Sequence, residues 1–361
     1  MKIRAFITHK LAEHFSDCQD RFSISNDTKS VALADGMSQS YQQKVWADLL
    51  VKSFVKKQDF VPNIESIKEL SVLWRNSVVD LIEQMKSSNA HEYLIIMNEN
   101  ALATHKSAGA TFLGIRFNGN KWEGDVLGDS CLIVLQDNRI KDILTSQDGD
   151  EFDNHPDYFD SDSSKTGKGT PKQINGIVDA NTSIMLVSDP FSDFLNEKRK
   201  EGKDEEYVKE LLQVTNHDEF EELVGKWCKE FGMHNDDSTL IIIEDDGTDE
   251  FNCTNIDDIQ SLIVNEQHEQ KENANPTKVI PKESVLTSFA RKEEYVEQTA
   301  EKNDDPIRPI SEKDFIKLFN SKYKEFEKSR SVYGKKIKKF IDAQEKAIKY
   351  ALEKMYESIF K

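Results

Sequence analysis

The chain has 361 residues, with 48 Lys and Arg against 66 Asp and Glu, and a formal net charge of −18. So acidic a balance argues against general nucleic-acid or anionic-membrane binding, since both of those partners are polyanions. No run approaches the ~18 apolar residues of a membrane span, the opening MKIRAFITHK lacks the apolar centre of a secretion signal, and Cys18, Cys131, Cys228 and Cys253 form no C-x-x-C pair. A cytoplasmic protein with reduced thiols and no zinc finger is expected.

In chain order, FSI at 22–24 and VALAD at 31–35 read as paired strands joined by a turn at Asn26 and Asp27. Val45, Trp46, Leu49, Leu50 and Phe54 then recur at helical spacing over 41–56, and 64–85 repeats the pattern. Three strand patterns follow, at 110–117, 121–129 and 130–136, with Asn118-Gly119-Asn120 as a hairpin signal between the first two. Residues 145–176 are polar and rich in Asp, Ser and Gly, the composition of a covering flap. SIMLVSD at 183–189 is apolar enough to be a strand buried on both faces; a helical region runs on through Cys228, and STLIIIE at 238–244 is a second buried strand.

Beyond residue 250 the composition changes. Residues 264–310 hold four prolines, few aromatics and many charges, so 251–310 is expected to be a largely disordered linker. Phe319, Tyr323, Phe326, Tyr333, Ile337 and Phe340 recur at three- and four-residue steps within 311–361. That spacing predicts an amphipathic helix, or a helical hairpin bent at Gly334, for protein binding or self-association. This tail carries 14 basic and 8 acidic residues, net +6, on an otherwise acidic chain. The organisation expected is one large domain at 1–250, a linker at 251–310 and a helical tail at 311–361.

The chemistry lies in the aspartates. VALAD ends in Asp35, followed by Gly36; the strand pattern up to 129 ends in Gly128-Asp129-Ser130; SIMLVSD ends in Asp189; STLIIIE is entered through Asp236 and Asp237; and Asp20 precedes the first strand of this set. Any one of these could be an ordinary turn. Four at strand boundaries are a pattern, and carboxylates converging on one sheet edge repel unless a cation enters. Mg²⁺ and Mn²⁺ take such oxygen ligands, and a glycine after the first aspartate leaves its backbone free to turn toward a metal.

The segments DCQDRFSIS, VALADGMSQS, SAGATFLGI, LGDSCLIVL, IMLVSDPFSDFL and NDDSTLIII, spanning 17–243 in order, resemble the metal-dependent Ser/Thr protein phosphatases of the PP2C type, and the DGMSQS stretch resembles the bacterial branch. The resemblance implies an α+β fold, a central antiparallel β-sandwich flanked by helices with the site at one end. It implies that Asp35 bridges two Mg²⁺ or Mn²⁺ ions, that the Gly36 carbonyl completes one coordination shell, and that Asp189 and Asp236 supply the other ligands. Asp129 with Asp189 would hold a third ion, and Asp20 would orient the attacking water. The implied reaction is attack of metal-activated water on phosphoserine or phosphothreonine of a protein, a Ser/Thr kinase or its target, without a phosphoenzyme.

This sequence departs from the family at three places. Pro190 stands where a glycine usually follows the Asp189 equivalent, so a different local turn is expected. Met37 replaces a histidine of some eukaryotic members, as is common in bacterial ones. No arginine precedes Asp20 as a phosphate clamp; His9, Lys10 and Arg21 are the candidates, with His9 taken as the phosphate-binding residue. Ser38 and Ser40 read most simply as caps of the helix that follows. The acidic 148–162 stretch lacks EF-hand spacing, and neither a P-loop nor a G-x-S-x-G elbow is present. The competing reading is a catalytically weak module of the same fold that binds a phosphoprotein or scaffold.

Overall fold

A computed structural model describes residues 1–273 other than 89, 147–155, 163 and 166. The expected helical tail at 311–361 and the linker from 274 onward lie outside the described residues. In chain order the elements are β1 (Lys2–Thr8), β2 (Arg21–Ser25), β3 (Ser30–Ala34), α1 (Gln43–Lys56), α2 (Ile64–Ser87), α3 (Glu92–Ala103), β4 (Gly109–Ala110), β5 (Phe112–Asn118), β6 (Lys121–Leu127), β7 (Cys131–Gln136) and β8 (Arg139–Leu144). They continue with β9 (Phe159–Asp160), β10 (Lys172–Ile177), β11 (Thr182–Val187), α4 (Asp189–Lys200), α5 (Asp204–Gln213), α6 (His217–Lys226), a π-helical turn at Trp227–Phe231, β12 (Ser238–Glu244), β13 (Asn252–Ile256) and α7 (Ile259–Asn273).

Side-chain alternation along the strands builds the layers. One sheet has the order β13-β1-β12-β11-β7-β8 and the other β10-β6-β5-β3-β2. Ile241 and Ile243 of β12, Ile184 and Leu186 of β11, Val31 and Leu33 of β3, and Leu113 and Ile115 of β5 share one core between the sheets. Their neighbours one residue along point the other way. Leu240, Ile242, Met185 and Val187 pack under α4, α5 and α6 around Phe191, Phe220 and Trp227, while Ala32, Ala34 and Phe112 pack under α1 and α2 around Trp46, Phe54 and Trp74. Period-two alternation with both faces apolar yields the four-layer helix–sheet–sheet–helix sandwich that was expected.

The strand pairing is antiparallel throughout except between β1 and β13, which run parallel. That pair also revises the domain boundary: residues 252–273, expected to be linker, hold β13 and α7. Asp257 caps the junction, its Oδ2 accepting from Ile7 N at 3.0 Å and sitting 2.8 Å from His217 Nδ1. The polar composition of Asn252–Ile256 hid this strand, because an edge strand needs backbone pairing more than apolar side chains. The expected flap is also partly sheet. Lys172–Ile177 pairs with β6, and Phe159–Asp160 pairs with β4.

Two local expectations change. The cap position of α1 is Gln42, in the left-handed region, without a side-chain capping bond. Ser40 instead accepts from Gly109 N at 3.0 Å and donates to Met37 O at 2.8 Å, stitching the loop after Asp35 to β4. Pro190 lies in the first turn of α4, where its missing N–H would have no helical partner anyway.

Candidate metal-binding active site

Strand register assembles the site. Thr8 at the end of β1 faces Ser238 at the start of β12, Val187 at the end of β11 faces Cys131 at the start of β7, Arg21 faces Ala34, and Phe112 faces Leu127. Antiparallel pairing therefore gathers, at one end of the sandwich, the residues just beyond these termini: Asp20, Asp35, Asp129, Asp189, Asp236 and Asp237. Side chains tie the two sheets there. The Thr239 hydroxyl donates to Asp20 Oδ2 at 2.7 Å, and the Thr111 and Ser130 hydroxyls are 2.9 Å apart.

Each carboxylate is held by its surroundings. Asp35 N donates to Thr111 Oγ1 at 3.1 Å, and Thr111 N donates back to Asp35 O. Asp129 follows Gly128, whose φ of +108° and neighbours exclude a side chain: a Cβ would lie 2.7 Å from Thr111. Ser192 on α4 donates to Asp129 O at 3.0 Å, joining the Asp129 loop to the helix that begins at Asp189. Gly36 is glycine for want of space, not for a special φ. A Cβ there would meet Gln43 Cγ at 3.0 Å and Gln19 O at 3.1 Å.

The charges feel one another. Burial raises the Asp35 carboxyl to about 7, with Asp129 and Asp236 adding to the rise and a side-chain contact with Asp20 working against it. Burial likewise raises Asp189, helped by Asp35, Asp129, Asp236 and Asp193. Asp20 rises well above the ordinary carboxylate range through burial, then through Asp35 and Asp237. All five aspartates singled out in the sequence thus lie within one field.

Three residues take roles that the sequence reading did not assign them. Asp237 is consumed structurally: its oxygens accept from Lys10 N at 3.1 Å and Gln19 N at 2.7 Å, pinning the 8–20 loop and leaving Asp236 to face the site. Lys10 Nζ sits 2.8 Å from Asp236 Oδ1 and 3.4 Å from Ser38 Oγ, which places an ammonium at the carboxylate cluster. His9 has its Nδ1 2.8 Å from Lys10 O and its ring packed edge-on against Phe15. Arg21 is spent on the carbonyls of Cys18 and Asp20. Asp193, one turn beyond Asp189 on α4, is the third; only helical periodicity could have pointed to it.

The donor set suits a hard divalent cation. The cluster is built of carboxylates, and the fully buried Asp20 Oδ1 has no hydrogen-bond partner among the described residues, a costly position that a cation or its water would relieve. Among the described residues no group of three or more His, Cys, Asp or Glu side chains is arranged to hold a metal ion as they stand.

Residues 13–229 match the family described as Protein phosphatase 2C, more than half of the chain, and the protein belongs to that family. No curated protein sequence matches it significantly. Among solved structures, the catalytic domain of the serine/threonine protein phosphatase PstP in complex with two manganese ions shares 16% identity over 67% of this chain and 96% of that one, with a TM-score of 0.38. A bacterial serine phosphatase bearing a point mutation shares 17% identity over 68% and 99%, with a TM-score of 0.43. PppA of Pseudomonas aeruginosa shares 14% over 67% and 96%, with a TM-score of 0.39. Among the described residues no helix is long and apolar enough to cross a membrane.

Proposed function

We propose that this chain hydrolyses phosphoserine or phosphothreonine on a protein, in the cytoplasm, with two Mg²⁺ or Mn²⁺ ions and a weaker third. The observation that carries the reading is the convergence of Asp20, Asp35, Asp129, Asp189 and Asp236 from separate elements on one end of the sandwich. Asp35, Asp189 and Asp236, with the Gly36 carbonyl, would hold the ion pair, and Asp129 with Asp189 the third ion. When bound, such ions would offset the charge of the phosphoryl group and lower the pKa of a bound water.

The chain's own residues do the rest. Asp20 Oδ2 is fixed by the Thr239 hydroxyl, so Oδ1 is the acceptor that orients the attacking water and takes its hydrogen bond. Lys10, held at the cluster by Asp236 and Ser38, offers its ammonium to a non-bridging phosphoryl oxygen. Water attacks phosphorus, the P–O bond to the serine or threonine oxygen breaks, and the proton that the water gives up reaches the leaving oxygen through solvent, so that the alcohol and inorganic phosphate are released. The substrate class is a phosphoprotein, a Ser/Thr kinase or its target.

The test is turnover of p-nitrophenyl phosphate and of a phosphothreonine peptide by the full chain with Mn²⁺. Hydrolysis abolished by Asp35→Ala is expected; undiminished activity in a folded Asp35→Ala protein overturns the assignment. Tight phosphopeptide binding without any turnover would return the binding-module reading instead.

A further inference from the structure

On the helical side of the five-stranded sheet lies a feature that the carboxylate centre does not use. A cavity of about 320 Å³ opens between α2 (Ser71, Val72, Trp74, Arg75 and Asn76), the turn after α3 (His105, Lys106 and Ser107) and Ser161 and Asp162. Arg75, His105 and Lys106 are exposed, and among the described residues none of their side chains has an ion-pair or hydrogen-bond partner. Asp162, the carboxylate among the lining residues, is already engaged: Oδ1 accepts from Ser164 N and Oγ, and Oδ2 lies 3.4 Å from Lys165 Nζ. In a chain of net charge −18, the Arg75 guanidinium, the Lys106 ammonium and the His105 imidazole thus line one concavity with no ion-pair partner among the described residues.

Its position relates it to the carboxylate end. Ser107, on the cavity wall, accepts from Tyr41 N at 2.9 Å, and two residues on, Gly109 O accepts from Met37 N at 3.0 Å. Ala110 then bridges to Gly36. From Ser107 to Ala110 the chain can span at most about 10–11 Å. The cavity wall at Ser107 is therefore no more than about 10–11 Å from Ala110, the residue that pairs with Gly36 next to Asp35.

We propose that this cavity is a second anion subsite that reads a phosphoryl or carboxylate group on the substrate protein, three or four residues from the phosphoserine or phosphothreonine being hydrolysed. Arg75 supplies a planar two-pronged donor, Lys106 a point charge, and exposed Val72 an apolar contact for the intervening side chain. The proposal rests on the reading of the carboxylate end as a phosphatase site.

The test uses the full chain, Mn²⁺ and phosphothreonine peptides in which the residue three or four positions to either side is a non-hydrolysable phosphonate analogue of phosphoserine, glutamate or alanine. Expected is kcat/KM about tenfold higher for the phosphonate peptide than for the alanine peptide, mostly through KM, with glutamate between them. The Arg75→Gln/Lys106→Gln protein should lose this preference and keep its turnover of p-nitrophenyl phosphate. Equal kcat/KM for all three peptides, or a preference that survives the double substitution, overturns the subsite. If p-nitrophenyl phosphate is not hydrolysed at all, it is the phosphatase reading that has failed. Calorimetric titration of the same peptides then decides the subsite, which stands only if the double substitution weakens phosphonate-peptide binding about tenfold.

Discussion

The carboxylate end of the sandwich and the cationic cavity beside α2 lie on either side of one short segment, residues 107–110, and they are built on opposite terms. At the sandwich end, like charges are forced together by strand register. They are backed by hydrogen bonds such as Thr239 to Asp20 and Gln19 N to Asp237, and burial, with Asp129 and Asp236 adding to it, lifts Asp35 to about 7. At the cavity, the charges stand on exposed positions with water on one side, where holding them costs little. Buried charge must be fixed by the fold and is intolerant of change, whereas exposed charge contributes modestly and can be retuned. The first region suits chemistry and the second recognition.

The largest effect that would break this contrast is at Asp35. Asp35→Ala should lower kcat on an aryl phosphate with Mn²⁺ by about 10³-fold or more, the scale of removing a principal transition-state stabiliser, while circular dichroism stays unchanged. Next is Lys10→Ala, expected to cost about 10–100-fold, chiefly as a raised KM for phosphopeptide, with Lys10→Arg recovering much of it; an unchanged KM would return the phosphate-binding role to another cation.

Metal removal sharpens the comparison thermodynamically. Because Asp35 titrates near 7 in the folded chain, against 3.8 for an ordinary aspartate, the folded state binds the extra proton. Its contribution is fully present below about pH 3.8 and is lost as pH rises through about 7. The melting temperature of chelator-treated protein should therefore be lower at pH 8 than at pH 5. Mn²⁺ at a hundredfold excess over its dissociation constant should restore about 2.7 kcal/mol at pH 8. A melting temperature indifferent to Mn²⁺ at pH 8 would deny the carboxylate end its cation. Gly128→Ala comes next, expected to destabilise by about 1–3 kcal/mol in urea unfolding, because φ +108° and Thr111 leave no room for a Cβ. The smallest effect is the roughly tenfold loss of anionic-peptide preference in Arg75→Gln/Lys106→Gln, with aryl phosphate hydrolysis untouched.

Much of the carboxylate end could be read from the chain itself, because its signals are local. An apolar run of alternating burial closing on an aspartate marks a strand terminus at Asp35, Asp129 and Asp189, and the structure brings these together with Asp20 and Asp236. Legibility failed where pairing outweighs composition. Asn252–Ile256 and Lys172–Ile177 are strands because neighbours offer them free backbone groups, and nothing in their polar side chains announces this. It failed again in the loop before Asp20. His9 and Lys10 are adjacent in sequence, and only the Asp237 side chain, taking Lys10 N and Gln19 N together, decides that Lys10 faces the cluster.

The sequence by itself therefore determined the acidic character, the strand-end aspartates and the layered α+β class, since hydrophobic periodicity and turn chemistry act over a few residues. Tertiary structure alone decided which of those aspartates are spent on backbone and which face a common space. It also decided that Lys10 stands at Asp236, and that Arg75, His105 and Lys106 meet around one cavity. Those facts depend on strand register and on helices packed across the sheet, which are long-range and carry no local signature.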